Sequence, residues 1–128
     1  MRFFPLTALK FSEEEAEYLA SQKLARIATV SRDGSPHVVP VTYEFDGESL
    51  YFSGWNLKES LKFRNIQQNG RVAVVIDDLA GGTRWSPRGI ELRGSAEIME
   101  DQGGVYVKVK PVRKSAWGLE RSEEEREK

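Results

Sequence analysis

The sequence predicts a mainly β domain, a six-stranded antiparallel barrel flanked by two helices. Three observations carry that prediction. Apolar residues recur at every second position through several short runs, Asp-Gly pairs separate the first of these runs, and helical periodicity is confined to two stretches. Hairpin-linked strands with few helices fit a closed or nearly closed barrel, which removes exposed sheet edges. At 128 residues the chain is one ordinary domain, read as 1–119 with a charged tail over 120–128.

The first helix lies in FSEEEAEYLASQ, where Ser12 and Glu15 form a capping box and three glutamates sit where the helix dipole favours them. LARIATVSRDGSPHVVPVTYEFDGESLYFSG follows as a three-strand meander, with Asp33-Gly34 and Asp46-Gly47 supplying its tight turns. On the middle strand His37, Val39, Val41, Tyr43 and Phe45 share one face, and Val38, Pro40, Thr42 and Glu44 the other. Pro40 has no N–H to give to a ladder, so it marks an edge, a bulge or a strand end. NLKESLKFRNIQQNG reads as the second helix, capped by Asn56 and ended by Gly70. RVAVVID reads as a strand buried on both faces, with Asp77-Asp78 at its end and a Gly- and Pro-rich loop beyond. IELRGSAEIM and GVYVKVKPVRK alternate as two further strands, with Ile90, Leu92, Val107 and Val109 inward and MEDQGG as the loop between them. The tail LERSEEEREK reads as a frayed helix or a disordered end.

Composition excludes several functions. Net charge is -1 and no basic stripe carries interleaved aromatics, which disfavours nucleic acid as a partner. There is no cysteine and one histidine, so disulfides, thiolate chemistry and a multi-histidine metal site within one chain are out. No apolar run reaches the roughly 20 residues of a membrane helix. MRFFPLTALKF is too short and interrupted for a signal peptide, so a cytoplasmic protein is expected. There is no Walker loop, no GxGxxG, no paired-carboxylate motif and no nucleophile motif. Any hard chemistry therefore falls to a cofactor. No catalytic residue is assigned; His37 and Tyr43 are weak candidates for a proton donor.

FSGWNLKESLKFRN, residues 52–65, carries the strongest local signal. A strand ends at Ser53-Gly54 and a helix begins near Asn56, where backbone N–H groups favour an anion. Lys58 and Lys62 are four apart and so share a helical face, Ser60 offers a hydroxyl, and Arg64 points elsewhere. These residues fit a phosphate seat. They also fit a solvated helix with Leu57, Leu61 and Ile66 inward. Trp55, Trp85 and Trp117 lie in loops or at element ends, where tryptophan lines planar-ligand sites and interfaces or plugs a barrel end.

ARIATVSRDGSPHVVPVTYEFDGESLYF, LKFRNIQQNGRVAVVIDD, RGIELRGSAEI and SAWGL, in this order, resemble the pyridoxamine 5'-phosphate oxidase-like superfamily. Within it the chain is most similar to the small branch that depends on the deazaflavin coenzyme F420. The resemblance runs from Leu19 to Leu119. It implies a six-stranded split β-barrel and a homodimer with cofactor sites at the interface. It matches Lys62 to a phosphate-binding lysine and Ser60 to a phosphate-binding hydroxyl, and Lys58 is a further contact. It places the backbone of Val39, Pro40, Val41 and Thr42 along the cofactor ring and Ser53 and Gly54 beside the ribityl chain. Trp117 would reach the partner's site, with Trp85 and Arg88 in its wall. The implied function is an oxidoreductase passing hydride between F420 and a small organic substrate. FMN is the alternative cofactor, and a flavin carrier or sensor the non-enzymatic alternative. F420 carries an anionic tail beyond its phosphate, so the basic residues near the joint lean toward it. Many relatives insert a helix between the last two strands. Here MEDQGG stands in its place, which predicts a more open pocket.

Overall fold

Ser12 Oγ accepts the Glu15 N–H at 3.1 Å while the Glu15 carboxylate accepts the Ser12 N–H at 2.8 Å. This capping box starts α1, Glu13–Ser21, in a computed structural model that describes residues 9–81 and 85–119. The tail over 120–128 and part of the Gly-rich loop, 82–84, lie outside the described residues. The remaining elements are β1 (Leu24–Val30), β2 (Pro36–Thr42), β3 (Glu44–Phe45), β4 (Leu50–Phe52), a 3-10 turn (Leu57–Glu59), α2 (Leu61–Gln68), β5 (Arg71–Leu79), β6 (Pro87–Asp101) and β7 (Gly104–Trp117). Among the described residues no helix is long and apolar enough to cross a membrane.

The strands form one antiparallel sheet in the order β2-β1-β5-β6-β7-β4-β3, the curled sheet of a split barrel. Seven strands replace the six expected because the long middle strand breaks at Tyr43 into β2 and β3. Its first half pairs with β1, Ala25 opposite Val41, and its second half with β4, Phe45 opposite Leu50. Those halves lie on opposite edges of the sheet, yet one residue joins them. The sheet must therefore curl until its edges meet. The turns behave as their chemistry requires: the Asp46 carboxylate accepts the N–H groups of Glu48 and Ser49 at 2.9 and 2.7 Å. Pro40 lies on edge strand β2, where its missing N–H costs no ladder bond on the open side.

The core fills the inside of this curl. Ile27, Leu50, Ile76, Ile90, Leu92, Val107 and Val109 are nearly inaccessible, and Phe63 and Ile66 of α2 close over them. β5 departs from the reading of a strand buried twice. Val72, Val74 and Ile76 are in the core, but Ala73 and Val75 on the outer face are half-buried. β5 also runs on through Asp77 and Asp78, which sit in the ladder opposite Gly89 and Arg88 rather than in a turn. β6 and β7 extend through most of MEDQGG, so Asp101 pairs with Gly104 across a two-residue turn. A bulge where Arg93 faces Arg113 and Gly94 faces Pro111 leaves Val112 unpaired and bends the hairpin.

α1 attaches through Leu19, fully buried, a contact worth about 1.5–3 kcal/mol. Polar contacts set its angle. The Tyr18 hydroxyl donates to Asp78 at 2.8 Å, and Arg88 grips the same carboxylate with two N–H groups at 2.7 and 3.0 Å. The Arg88 guanidinium also lies 5.0 Å from the Tyr18 ring centre. Lys114 holds Glu15 at 2.6 Å. The Arg88 hydrogen bonds hold the Asp78 carboxyl below its ordinary value of 3.8. A depressed acid pKa gives stability that is complete above the unfolded value and is lost as pH falls through the folded one. Asp78→Asn is expected to cost about 1–2 kcal/mol at neutral pH, discounted for partial exposure. The deficit in urea unfolding should shrink below pH 3.8. A deficit that stays constant into acid would contradict this account.

Candidate functional site

A cavity of about 610 Å³ opens where the two edges of the sheet meet. Thr42 and Tyr43 of the closing strand form one side, Phe52 and Ser53 at the end of β4 a second, and Val105 and Tyr106 of β7 a third. The volume falls within the roughly 300–1,000 Å³ of small-molecule sites. Two segments expected to act together, Thr42 and Ser53, thus line one cavity although ten residues separate them in sequence. Gly54 continues from Ser53 at φ 153 with no atom near its missing Cβ. Val39 is half-buried and Val41 buried on the core face, and Pro40 is exposed on the outer face; none of the three lines the cavity.

The joint after Ser53 differs from the expected single helix. Asn56 takes a left-handed conformation, φ 57, and caps nothing with its side chain. A 3-10 turn runs to Glu59, Ser60 is extended at φ -82 and ψ 153, and α2 starts only at Leu61. Lys58 and Lys62 therefore lie on different elements, and their four-residue spacing does not put them on one helical face. Ser60 is the cap: its oxygen accepts the Phe63 N–H at 3.3 Å and its hydroxyl donates to the Leu57 carbonyl at 2.6 Å. That proton is already used by the chain. Asn69, not Gly70, takes the C-cap position.

Leu57 and Ile66 point inward as expected, but Leu61 is 43% exposed, and Phe63 and Asn65 are buried instead. Asn65 Nδ2 donates to Thr29 Oγ1 at 3.0 Å, and both side chains are buried. This bond fixes α2 on β1 and so sets where Lys62 emerges. An asparagine in a polar helical stretch gives no sign of such a role; only its register with the core face, one residue before Ile66, hints at it.

The charges sort themselves. Arg26, Arg88, Arg93, Lys110 and Lys114 have carboxylate partners. Lys58 and Lys62 have none among the described residues and remain available to an anion. Arg88 was expected in a ligand wall with Trp85, but its guanidinium is committed to Asp78. Neither residue lines the cavity, and Trp85 is 79% exposed. Trp55 is 92% exposed, so it plugs no barrel end. Trp117 ends β7 opposite Gly89, whose missing side chain it needs: a Cβ there would stand 2.6 Å from the indole. It too lies away from the cavity.

Neither proton-donor candidate presents a free proton there. The Tyr43 hydroxyl donates to the Leu19 carbonyl at 2.6 Å, and burial pushes its pKa up to about 12. His37 lies at the far end of β2 opposite Thr29, with Nδ1 buried and without a partner among the described residues.

The sequence pattern of the pyridoxamine 5'-phosphate oxidase family matches residues 11–126. The chain belongs to that family. A 5a,11a-dehydrotetracycline/5a,11a-dehydrooxytetracycline reductase of Streptomyces rimosus is 33% identical over 122 residues, covering 88% of this chain and 86% of the relative. An F420H(2)-dependent biliverdin reductase of Mycobacterium tuberculosis is 28% identical over 95 residues, covering 74% of this chain and 64% of the relative. Among solved structures, one named F420 reductase superposes with a TM-score of 0.67 at 26% identity, covering 82% of this chain and 98% of that one. A conserved hypothetical protein of Mycobacterium tuberculosis shares the fold at a TM-score of 0.73, with 21% identity and coverage of 92% and 91%.

Because the Ser60 hydroxyl serves this family member's own helix, Ser60→Ala should cost about 1 kcal/mol of stability in urea unfolding. A Ser60→Ala protein of unchanged stability would show that the cap is dispensable.

Proposed function

We propose that this protein is an F420-dependent oxidoreductase that passes hydride to or from a small organic substrate, working as a homodimer with its cofactor at the interface. The observation that carries the reading is the cavity that joins Thr42 to Ser53 at the start of a segment bearing two lysines with no carboxylate partner among the described residues. A ring against the closing strand, a polyol chain past Ser53-Gly54 and a phosphate near Lys62 would follow that path. Relatives named as reductases, two of them for F420, favour the deazaflavin over FMN. Exposed Val38, Val112, Trp85 and Trp117, with half-buried Ala73 and Val75 on the outer face, favour a second copy against the sheet.

When bound, reduced F420 supplies the hydride. The chain's part is to hold and orient. Lys62, with Lys58 beside the joint, supplies positive charge for the phosphate, aided by the α2 N–H groups that Ser60 aligns. Phe52 and Val105 contribute apolar atoms to the cavity wall. Tyr43, tied to α1, gives a fixed wall rather than a proton.

Titration with F420 and with FMN, followed by tryptophan fluorescence, tests the cofactor. Lys62→Ala should weaken binding by about tenfold or more, as expected for a lost charge-assisted contact. Unchanged affinity for both ligands would sink the phosphate seat. Sedimentation should give a dimer, and a monomer at all concentrations would remove the interface site. Turnover of an electrophile by the reduced cofactor separates an enzyme from a carrier.

A further inference from the structure

The polar groups around the cavity differ in what they still have to offer. Tyr43 gives its hydroxyl proton to Leu19, and Tyr51 gives its own to Asp46 at 2.7 Å. The Thr42 and Ser53 hydroxyls have no partner among the described residues, but they sit on the segments assigned to the cofactor. On the opposite wall, the Tyr106 hydroxyl has no partner among the described residues. Its ring packs against that of Tyr51, 6.2 Å between centres and tilted by 52°, so an aromatic pair forms one wall near the β6–β7 hairpin. Formal charge there is not net cationic: Lys23 in the lining, and Lys108 with its Nζ 5.8 Å from the Tyr51 ring centre, are set against Glu44 and Asp101 in the lining and Asp46 bonded to Tyr51. Apolar walls come from Phe52 and Val105.

We propose that Tyr106 is a specificity-determining donor, and that the hairpin side of the cavity takes a neutral, flat ligand with a carbonyl oxygen. This deepens the oxidoreductase reading and rests on it, since it makes the hairpin side the substrate's half of a shared cavity. The chemistry follows from what is left unpaired. A free phenol seeks an acceptor, the aromatic pair favours a planar body, and the carboxylates at the rim oppose an anion. Only a two-residue turn links β6 to β7, so nothing within the hairpin covers this side.

A matched pair of probes tests it: 9-fluorenone, and fluorene, the same skeleton without the carbonyl. Binding to the full chain is measured by saturation-transfer NMR, with F420 titrated separately by fluorescence. Tyr106→Phe is expected to weaken fluorenone about fivefold, the effect of one neutral hydrogen bond. Fluorene and F420 should stay within about twofold of the unmodified protein. Fluorenone that fails to bind, or binds indifferently to Tyr106→Phe, overturns the proposal. So does a loss of F420 affinity matching that of fluorenone, because the hairpin wall would then belong to the cofactor. If neither F420 nor FMN binds but fluorenone still depends on Tyr106, the cofactor reading falls and the carbonyl subsite stands.

Discussion

Tyr43 is the residue on which the architecture turns. β2 and β3 lie at opposite edges of the sheet, and Tyr43 alone joins them. Its N–H bonds the Lys23 carbonyl at 3.3 Å and its hydroxyl bonds the Leu19 carbonyl. The barrel is thus closed by chain continuity and by α1, not by a ladder between the edges. An uncurled sheet would require the chain to cross its whole width in one residue, which a reach of about 3.3–3.6 Å per residue forbids.

That closure explains why the cavity lies where it does. Where a strand passes from one edge to the other, its backbone leaves the regular ladder and side chains cannot pack from both sides. The resulting gap is walled by Thr42, by the end of β4 and by the β6–β7 hairpin. α1 supports the same corner through Tyr43 and is itself clamped to β5 and β6 by the Tyr18–Asp78–Arg88 cluster. The charges expected at a ligand wall are drawn into this support, which is why Arg88 is withdrawn from the site.

Much of the fold was legible along the chain. Alternation placed Ile90, Leu92, Val107 and Val109 in the core, the capping box placed α1, and Asp46-Gly47 placed a turn. Each depends on residues close in sequence, where spacing and side-chain chemistry speak directly. The readings that failed depended on competition between distant groups. Helical spacing joined Lys58 to Lys62, but Leu57 and Phe63 both needed the core, and the chain met that demand with a 3-10 turn, an extended Ser60 and a fresh helix. Asp77 and Asp78 read as the end of a strand because they follow its apolar run; Arg26 and Arg88, brought in by neighbouring strands, pair with them inside the ladder.

The sequence by itself determined the class of fold, the inward faces of most of its strands and the absence of cysteine chemistry, because periodicity, turn residues and composition are local properties. Tertiary structure alone decided which hydroxyls and charges remain free. Ser60, Tyr43 and Arg88 are engaged within the chain, whereas the Lys62 ammonium and the Tyr106 hydroxyl have no partner among the described residues. A donor or charge is available to a ligand only when no neighbour has taken it, and neighbours across a closed barrel come from positions that spacing along the chain does not connect.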